Sequence, residues 1–355
     1  MQQQIPYMHL RGGSSKGLFF NAADLPADEK QRNHLILAAL EGVGIGDLRQ
    51  IDGLGGGSSL SSKAAIVRLS EAQSVDLEYF FIQDMVGKGR VSTVQTCGNI
   101  LAGVVPFAIE SGMLRATHPT TSAKVAILNT GGICEVIVET PNGQVNYAGK
   151  VKIDGVLGTA APIICNYLDT MGATCGQLFP TGNPIDVING KQMTCIDNGM
   201  PLVVLRARDF GLSGNETKAA LDANVELKQQ LEIIRLQISP KMNLGDVREQ
   251  SVPKMCLISP AQNGGLVNTR MFIPHVCHDA IGVLAAISAA TACILPNTVA
   301  EGIVSLPKSG ENAYSMEHPS GEMTVSLEKD DNGRIQKSGV IRTARLLSKG
   351  VVFIP

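Results

Sequence analysis

Two short stretches of the chain hold residue types able to move a proton. The run Gly55-Gly56-Gly57-Ser58-Ser59-Leu60-Ser61-Ser62 ends at Lys63, and 34 residues later comes Cys97-Gly98-Asn99. Behind the lysine, Ala64-Ala65-Ile66-Val67 reads as an apolar strand, which places Lys63 at the mouth of a core. Partial desolvation there disfavours the ammonium form and lowers the pKa, so that the amine can serve as a base. Behind the thiol, Ile100-Leu101-Ala102-Gly103-Val104-Val105 predicts a helix with Cys97 at its start. The dipole at such a position lowers a thiol pKa, and the thiol then exchanges protons near neutral pH. An amine and a thiol beside backbone-lined anion pockets are the minimum equipment for moving a proton next to a carboxylate.

Other polar turns could receive the carboxylate. Arg11 precedes Gly12-Gly13-Ser14-Ser15. Gly56, Gly57 and Ser58 lead up to Lys63, and Gly98 and Asn99 follow Cys97. Asn129-Thr130-Gly131 and His318-Pro319-Ser320-Gly321 are further turns of the kind that form amide nests, and His278 reads as a polar residue facing a ligand. A nucleotide loop is disfavoured, because the phosphate-loop pattern needs Gly at 62 and Ser or Thr at 64, where the chain has Ser62 and Ala64. The dinucleotide fingerprint fails at Ser58. His275, Cys277 and His278 are close in sequence, but no second ligand cluster accompanies them, so no metal is expected.

The elements that would position these residues occur twice, offset by roughly 180 to 190 residues. In each half a short strand enters a polar turn and a second strand follows: Pro6-Tyr7-Met8 and Leu18-Phe19-Phe20 first, Thr194-Cys195-Ile196 and Leu202-Val203-Val204-Leu205 later. A helix over 28–40 or 224–236, a strand over 77–82 or 266–273, and a helix of small apolar residues beginning at Cys97 or Cys277 come next. Hairpin signals at Pro141-Asn142-Gly143 and Asp331-Asn332-Gly333 close the two series. The expectation is an α+β chain of two pseudo-symmetric domains, 1–184 and 185–355, each with a sheet wrapped around a central helix thin enough to be enclosed.

The composition narrows the partner. Hydrophobic residues make up 44% of the 355, charged residues 17%, and the formal net charge is −2, which argues against disorder and against a polyanionic partner such as nucleic acid. Aromatics are 4%, with no tryptophan and 38 glycines, favouring a small polar ligand over stacked bases or sugars. The first residues lack the basic and apolar regions of a signal peptide, and the apolar stretch near 280–295 falls short of the ~20 residues of a membrane span. A cytoplasmic protein without membrane contact is expected. Eight scattered cysteines with no C-x-x-C pair predict reduced thiols, most of them in the core. The sequence leaves the oligomeric state open, a homodimer included.

The run 8–17, Ile51-Asp52-Gly53-Leu54-Gly55-Gly56-Gly57 through Lys63, Cys97-Gly98-Asn99, and Ile153-Asp154-Gly155 with Gly158-Thr159-Ala160-Ala161-Pro162 together resemble the PrpF family over nearly the whole chain. That family includes 2-methylaconitate, methylitaconate and 4-oxalomesaconate isomerases. The resemblance implies the diaminopimelate-epimerase-like fold and cofactor-independent isomerisation of an unsaturated polycarboxylate by a proton shift. It places the family's catalytic lysine and cysteine on Lys63 and Cys97. Diaminopimelate epimerases use one cysteine per domain, whereas Cys277-His278 lacks their Cys-Gly-Thr-Gly pattern, so two-thiol racemisation is not expected. Gly56-Gly57-Ser58-Ser59 and 158–162 are closest in wording to the oxalomesaconate branch. A non-catalytic carboxylate-binding protein on the same fold is the alternative.

Overall fold

The computed structural model describes residues 2–307 and 312–354. The chain forms two compact units, Met1–Tyr167 with Ile341–Pro355, and Leu168–Val340. In the first, β1 (Gln3–Gly12), β2 (Ser15–Asn21), α1 (Glu29–Glu41), β3 (Lys63–Leu69), β4 (Leu77–Asp84) and β5 (Val91–Ser92) precede two helices in tandem, α2 (Gly98–Leu101) and α3 (Val104–Glu110). Then come β6 (Thr120–Ile127), β7 (Gly132–Glu139), the two-residue strands β8 (Val151–Lys152) and β9 (Thr159–Ala160), and β10 (Ile163–Tyr167). The second unit runs β11 (Asp186–Ile188), β12 (Lys191–Asp197), β13 (Pro201–Arg206), α4 (Lys218–Ala223), α5 (Val225–Ile238), β14 (Lys254–Ser259), β15 (Val267–Phe272), α6 (Val283–Ile294), β16 (Ala313–His318), β17 (Gly321–Lys329) and β18 (Ile335–Arg342), whose last two residues already belong to the first unit. The last strand, β19 (Ala344–Ile354), returns to the first unit and pairs antiparallel with β1, Gln3 opposite Ile354.

The repeat extends to strand direction. The first sheet is ordered β19-β1-β2-β3-β4-β6-β7-β10 and the second β11-β12-β13-β14-β15-β16-β17-β18. In both, the third pair (β2 with β3, β13 with β14) and the fifth (β4 with β6, β15 with β16) are parallel and the rest antiparallel. This is the expected α+β, diaminopimelate-epimerase-like architecture. Its boundary differs from a single cut near 184, because β19 completes the first sheet beside β1.

Burial on both faces explains the near-continuous apolar runs of the central strands. Leu18, Phe20, Ala64, Ile66 and Ile82 pack with Ile36, Ala39 and Leu40 of α1. The alternate residues look the other way, toward α2 and α3, where the Phe19 ring lies 5.8 Å from that of Phe107. In the second unit, Val203, Leu205, Met255 and Leu257 pack with Leu227, Leu231, Ile234 and Ile238 of α5. There α6 is the enclosed helix, its residues from Ala285 through Ile294 all buried. Asp28 caps α1 by accepting from the Gln31 amide, and Asn224 caps α5 by accepting from the Leu227 amide, which fixes both helices within two residues of where their periodicity places them. Among the described residues no helix is long and apolar enough to cross a membrane.

Three expectations need correction. The second central helix starts at Val283 after the cap Gly282, not at Cys277. Cys277 is still extended, bridged antiparallel to Phe272 across a tight turn closed by the Ile273 amide on the Val276 carbonyl. The first central helix is not continuous, since α2 is one turn long and α3 begins after Gly103. A Cβ on Gly103 would lie 2.7 Å from Cζ of Phe19, so the break lets the helix approach the sheet. Finally, Pro141-Asn142-Gly143 forms a 3₁₀ turn with Asn142 at φ 57° rather than a hairpin; the partner of β7 is β10, some twenty residues on.

Candidate active site

Strand register brings the first group together. On β3 the residues Lys63, Ala65 and Val67 share one face, and their partners on β4 are Gln83, Phe81 and Tyr79. This is the face turned to α2 and α3, and the buried Tyr79 hydroxyl donates to the carbonyl of Cys97 at 3.3 Å. Lys63 is 6% exposed. Its Nζ donates to Oε1 of Gln83 and lies 5.2 Å from the centre of the Phe81 ring. Burial pulls the lysine below its ordinary pKa, and a negative charge on Cys97 acts in the opposite sense, so amine and thiol lie within reach of each other's charge.

Cys97 is the N-cap of α2 and, of the eight free cysteines, the one that is not buried. The α2 start is seated on the β1–β2 turn. A Cβ on Gly12 would stand 2.3 Å from the Asn99 carbonyl oxygen, and one on Gly13 (φ 52°) 2.1 Å from Asn99 Oδ1, so only glycine permits this approach. The Asn99 amide also donates to the Ser14 hydroxyl at 3.2 Å. Gly98, Asn99 and the turn at 12–15 are therefore one assembly around the thiol, with Ser15 buried at its edge.

The other nominated turns are placed as follows. One nitrogen of the Arg11 guanidinium is tied into the assembly, donating to the Gly13 carbonyl (2.7 Å), the Thr343 carbonyl (3.1 Å) and the Thr343 hydroxyl (2.9 Å). The Gly56 amide is bonded to Ser62 Oγ at 3.3 Å and the Gly57 amide to Gln50 Oε1 at 2.9 Å, while Ser58 meets Ser61 at 2.7 Å between hydroxyls. These bonds hold the loop before Lys63 in shape and occupy the two amides. Thr130 and Gly131 form an exposed turn, tied to β4 by Asn129, which accepts from the Phe81 amide (2.8 Å) and donates to the carbonyls of Phe81 (2.9 Å) and Thr93 (2.8 Å).

A second group assembles in the second unit. Ser320 Oγ donates to the Asp279 carbonyl at 2.6 Å and lies 3.3 Å from His318 Nδ1. His278 Nδ1 accepts from the Ala280 amide at 2.8 Å, and Gly321 (φ 141°) opens β17. Beside them is a cavity of about 440 Å³ lined by Lys218, Arg270, Asp279 and Ser320 among others. Cys277, in contrast, is fully buried, and burial with the Asp222 charge pushes its thiol up to about 11. It has none of the access that Cys97 has. Among the described residues no group of three or more His, Cys, Asp and Glu side chains is placed to hold a metal.

Gln83 and Tyr79 were not singled out in the sequence. Gln83 was findable: it is the first polar residue after the apolar run of β4, and the pairing of β3 with β4 sets it opposite Lys63. Tyr79 carries no such signal, since its alternation is that of any core aromatic.

The family model described as PrpF protein matches residues 2–355. A 4-oxalomesaconate tautomerase of Pseudomonas putida is 49% identical over 353 residues, covering 99% of this chain and 97% of that protein. A (4E)-oxalomesaconate Delta-isomerase of a Novosphingobium species is 49% identical over 349 residues, covering 98% and 97%. A 3-methylitaconate isomerase of Eubacterium barkeri is 31% identical, covering 99% and 98%. Among solved structures, a methylitaconate-delta-isomerase superposes with a TM-score of 0.89 at 30% identity, covering 99% of this chain and 96% of that one.

Proposed function

The chain belongs to the PrpF family, and from that membership we propose that it is an isomerase that shifts a proton and a double bond in an unsaturated polycarboxylate of the 4-oxalomesaconate type. The observation that carries this reading is a desolvated amine, Lys63, on the sheet face whose Tyr79 bonds the carbonyl of Cys97, the one accessible thiol. The 49% identity to two proteins named for oxalomesaconate favours that substrate over the methylitaconate class, whose named relative is 31% identical.

The chemistry follows from the site. Loss of a proton from a carbon flanked by a double bond and a carboxylate or keto group leaves a delocalised anion. Lys63 and Cys97 are the proton-handling pair, one removing a proton and the other delivering its own at the far carbon, after which proton exchange with water restores both groups. The positive amine and the donors around Cys97 stabilise the charge that develops between the two steps. Nothing in this scheme calls on a cofactor or a metal, and the setting is cytoplasmic.

Incubation with 4-oxalomesaconate in deuterated buffer, followed by NMR, is the test. Deuterium entering at the shifted position supports the proposal; no exchange with this compound but exchange with methylaconitate or methylitaconate would move the substrate to those classes. Binding without exchange across the whole panel would favour a carboxylate-binding protein. Enzyme treated with a chelator and desalted is expected to keep its turnover, and a loss reversed by one specific metal would overturn the cofactor-free scheme.

A further inference from the structure

Among the described residues, the buried Ser15 hydroxyl at the β1–β2 turn and Nε of Arg342 ahead of β19 have no hydrogen-bond partner. Arg342 is the more consequential. It is 6% exposed, and its guanidinium makes one long hydrogen bond, to the Ile341 carbonyl at 3.4 Å. No carboxylate is paired with it among the described residues. An arginine does not shed its proton in a protein, so this is a buried positive charge without a counter-ion, an arrangement that disfavours the empty site.

A structural arginine in this same chain looks different. Arg235 is 0% exposed and gives five hydrogen bonds, two to the Glu232 carboxylate and three to the carbonyls of Val247, Gln250 and Val252. Arg342 has had no such acceptors built around it. The donors that remain are available to an anion that the folded chain does not itself contain.

The location of Arg342 says which anion. The next residue, Thr343, accepts the Gly13 amide at 2.8 Å and two bonds from Arg11, and Gly13 abuts Asn99 in the assembly around the thiol. Across the strands, Ala344 is paired with Gly12 and Gly12 with Ser15, so the chain two residues after Arg342 joins the row that faces the Cys97 turn. Electrostatics give the same placement: burial draws the guanidinium below its ordinary value, and negative charge on Cys165, Tyr167 and Cys97 acts against that.

We infer that Arg342 is an anion-binding residue of the isomerisation site, its guanidinium receiving a carboxylate or enolate oxygen of the substrate beside Cys97. This rests on the reading of Lys63 and Cys97 given above. It adds a fixed charge where the delocalised anion forms, supplied from a strand far from either motif in sequence.

The whole chain serves for the test, with Cys97 as reporter. Iodoacetate and iodoacetamide alkylate the same sulfur, but only iodoacetate brings a carboxylate to it. The ratio of their rates at Cys97, followed by mass spectrometry of the labelled peptide, is expected to fall about tenfold in Arg342→Gln, the scale of one charge-assisted hydrogen bond. Where loss of the cation slows both reagents through the thiol's own ionisation, taking the ratio cancels that; a cooperative urea transition like the wild type's reports that the variant is folded. An unchanged ratio in the folded variant overturns the inference. If Arg342→Gln does not fold, Arg342→Lys decides, since it keeps the charge and loses the fork that grips two oxygens. A rise in KM for the polycarboxylate of about tenfold is expected there, and unchanged kcat and KM overturn the inference equally. The labelling ratio needs no substrate, so it fails only with this inference, whereas absent deuterium exchange fails the functional reading beneath it.

Discussion

At the level of single residues, Lys63 is held by Gln83, and that contact sets the amine's proton affinity. An amide oxygen accepts from the ammonium without opposing charge, leaving burial to pull the pKa down. Gln83→Glu would put a carboxylate against the same nitrogen and favour the ammonium. The limb of the pH–rate profile that reports Lys63 is therefore expected to move to higher pH by about one unit or more, a rising limb if the amine takes the proton and a falling limb if it gives it. Both limbs standing still would remove Lys63 from proton transfer. Lys63→Met and Cys97→Ser are each expected to reduce turnover by roughly 10² or more, the scale of general acid–base groups, as measured by initial rates. The thiol has its own signature. With the other seven cysteines buried, brief alkylation of the native protein should modify Cys97 alone and abolish activity, with substrate protecting it. Rapid labelling of a second cysteine would contradict the burial seen here.

At the level of elements, what was legible in the sequence is what the chain writes locally. The apolar run after Lys63, the glycine and asparagine after Cys97, and the helices beginning near Asp28 and Asn224 each declare themselves within a few residues. What was not legible is written by register and by contacts across long sequence separations. Arg342 comes to the Cys97 region where the chain turns into β19, which returns to β1, and Cys277 resembles a helix start until its bridge to Phe272 is formed. The loop before Lys63 is a further case. Its brace is a buried pair of carboxyls, Glu41 from the end of α1 and Asp84 from the end of β4, joined to the loop through Gln50, which donates to Asp84 and accepts from Ser62 at 2.5 Å. One oxygen of each carboxyl lacks a partner, which a proton shared between them would supply. Burial and the Glu41 charge raise Asp84 from 3.8 to about 7. Because the folded state holds this proton more tightly than the unfolded one, the stabilisation is complete below the ordinary carboxyl pKa and is lost as pH rises through about 7. Urea unfolding midpoints against pH should show that decline in the wild type and a shallower one in Asp84→Asn; parallel curves would mean the pair shares no proton. Gly12→Ala tests the other brace. A methyl 2.3 Å from the Asn99 carbonyl must push the Cys97 turn away, at a cost of roughly 1–3 kcal/mol, with activity falling further than thermal stability alone explains.

At the level of the whole molecule, the two units share an order of strands but not a way of closing. The second is continuous in sequence, Leu168–Val340, and carries its own core from Met193 and Cys195 through α5 to Phe272 and Cys277. The first borrows its edge strand from the far end of the chain, β19 pairing with β1 over ten residues of each, and Ile354 packs in its core with Ile5, Leu18 and Ile36. This asymmetry predicts different behaviour when the chain is cut. A fragment of residues 168–340 keeps every strand of its sheet up to Val340 and should unfold cooperatively in urea. A fragment of residues 1–167 lacks β19, leaving the hydrogen-bonding edge of β1 unpaired and part of its core open, and should aggregate or unfold without cooperativity. Adding residues 341–355 as a separate peptide, or fusing them ahead of Gln3 through a short turn, should restore a cooperative transition to that fragment, because Gln3 and Ile354 are already neighbours across the sheet. The thiolate chemistry offers a second readout, since Arg342, Lys63 and Cys97 all belong to this unit. In the fused fragment the ratio of iodoacetate to iodoacetamide rates at Cys97 should exceed that of the same cysteine in residues 1–167. A fragment of residues 1–167 that folds cooperatively without the strand would show that β19 closes the sheet without being needed to form it.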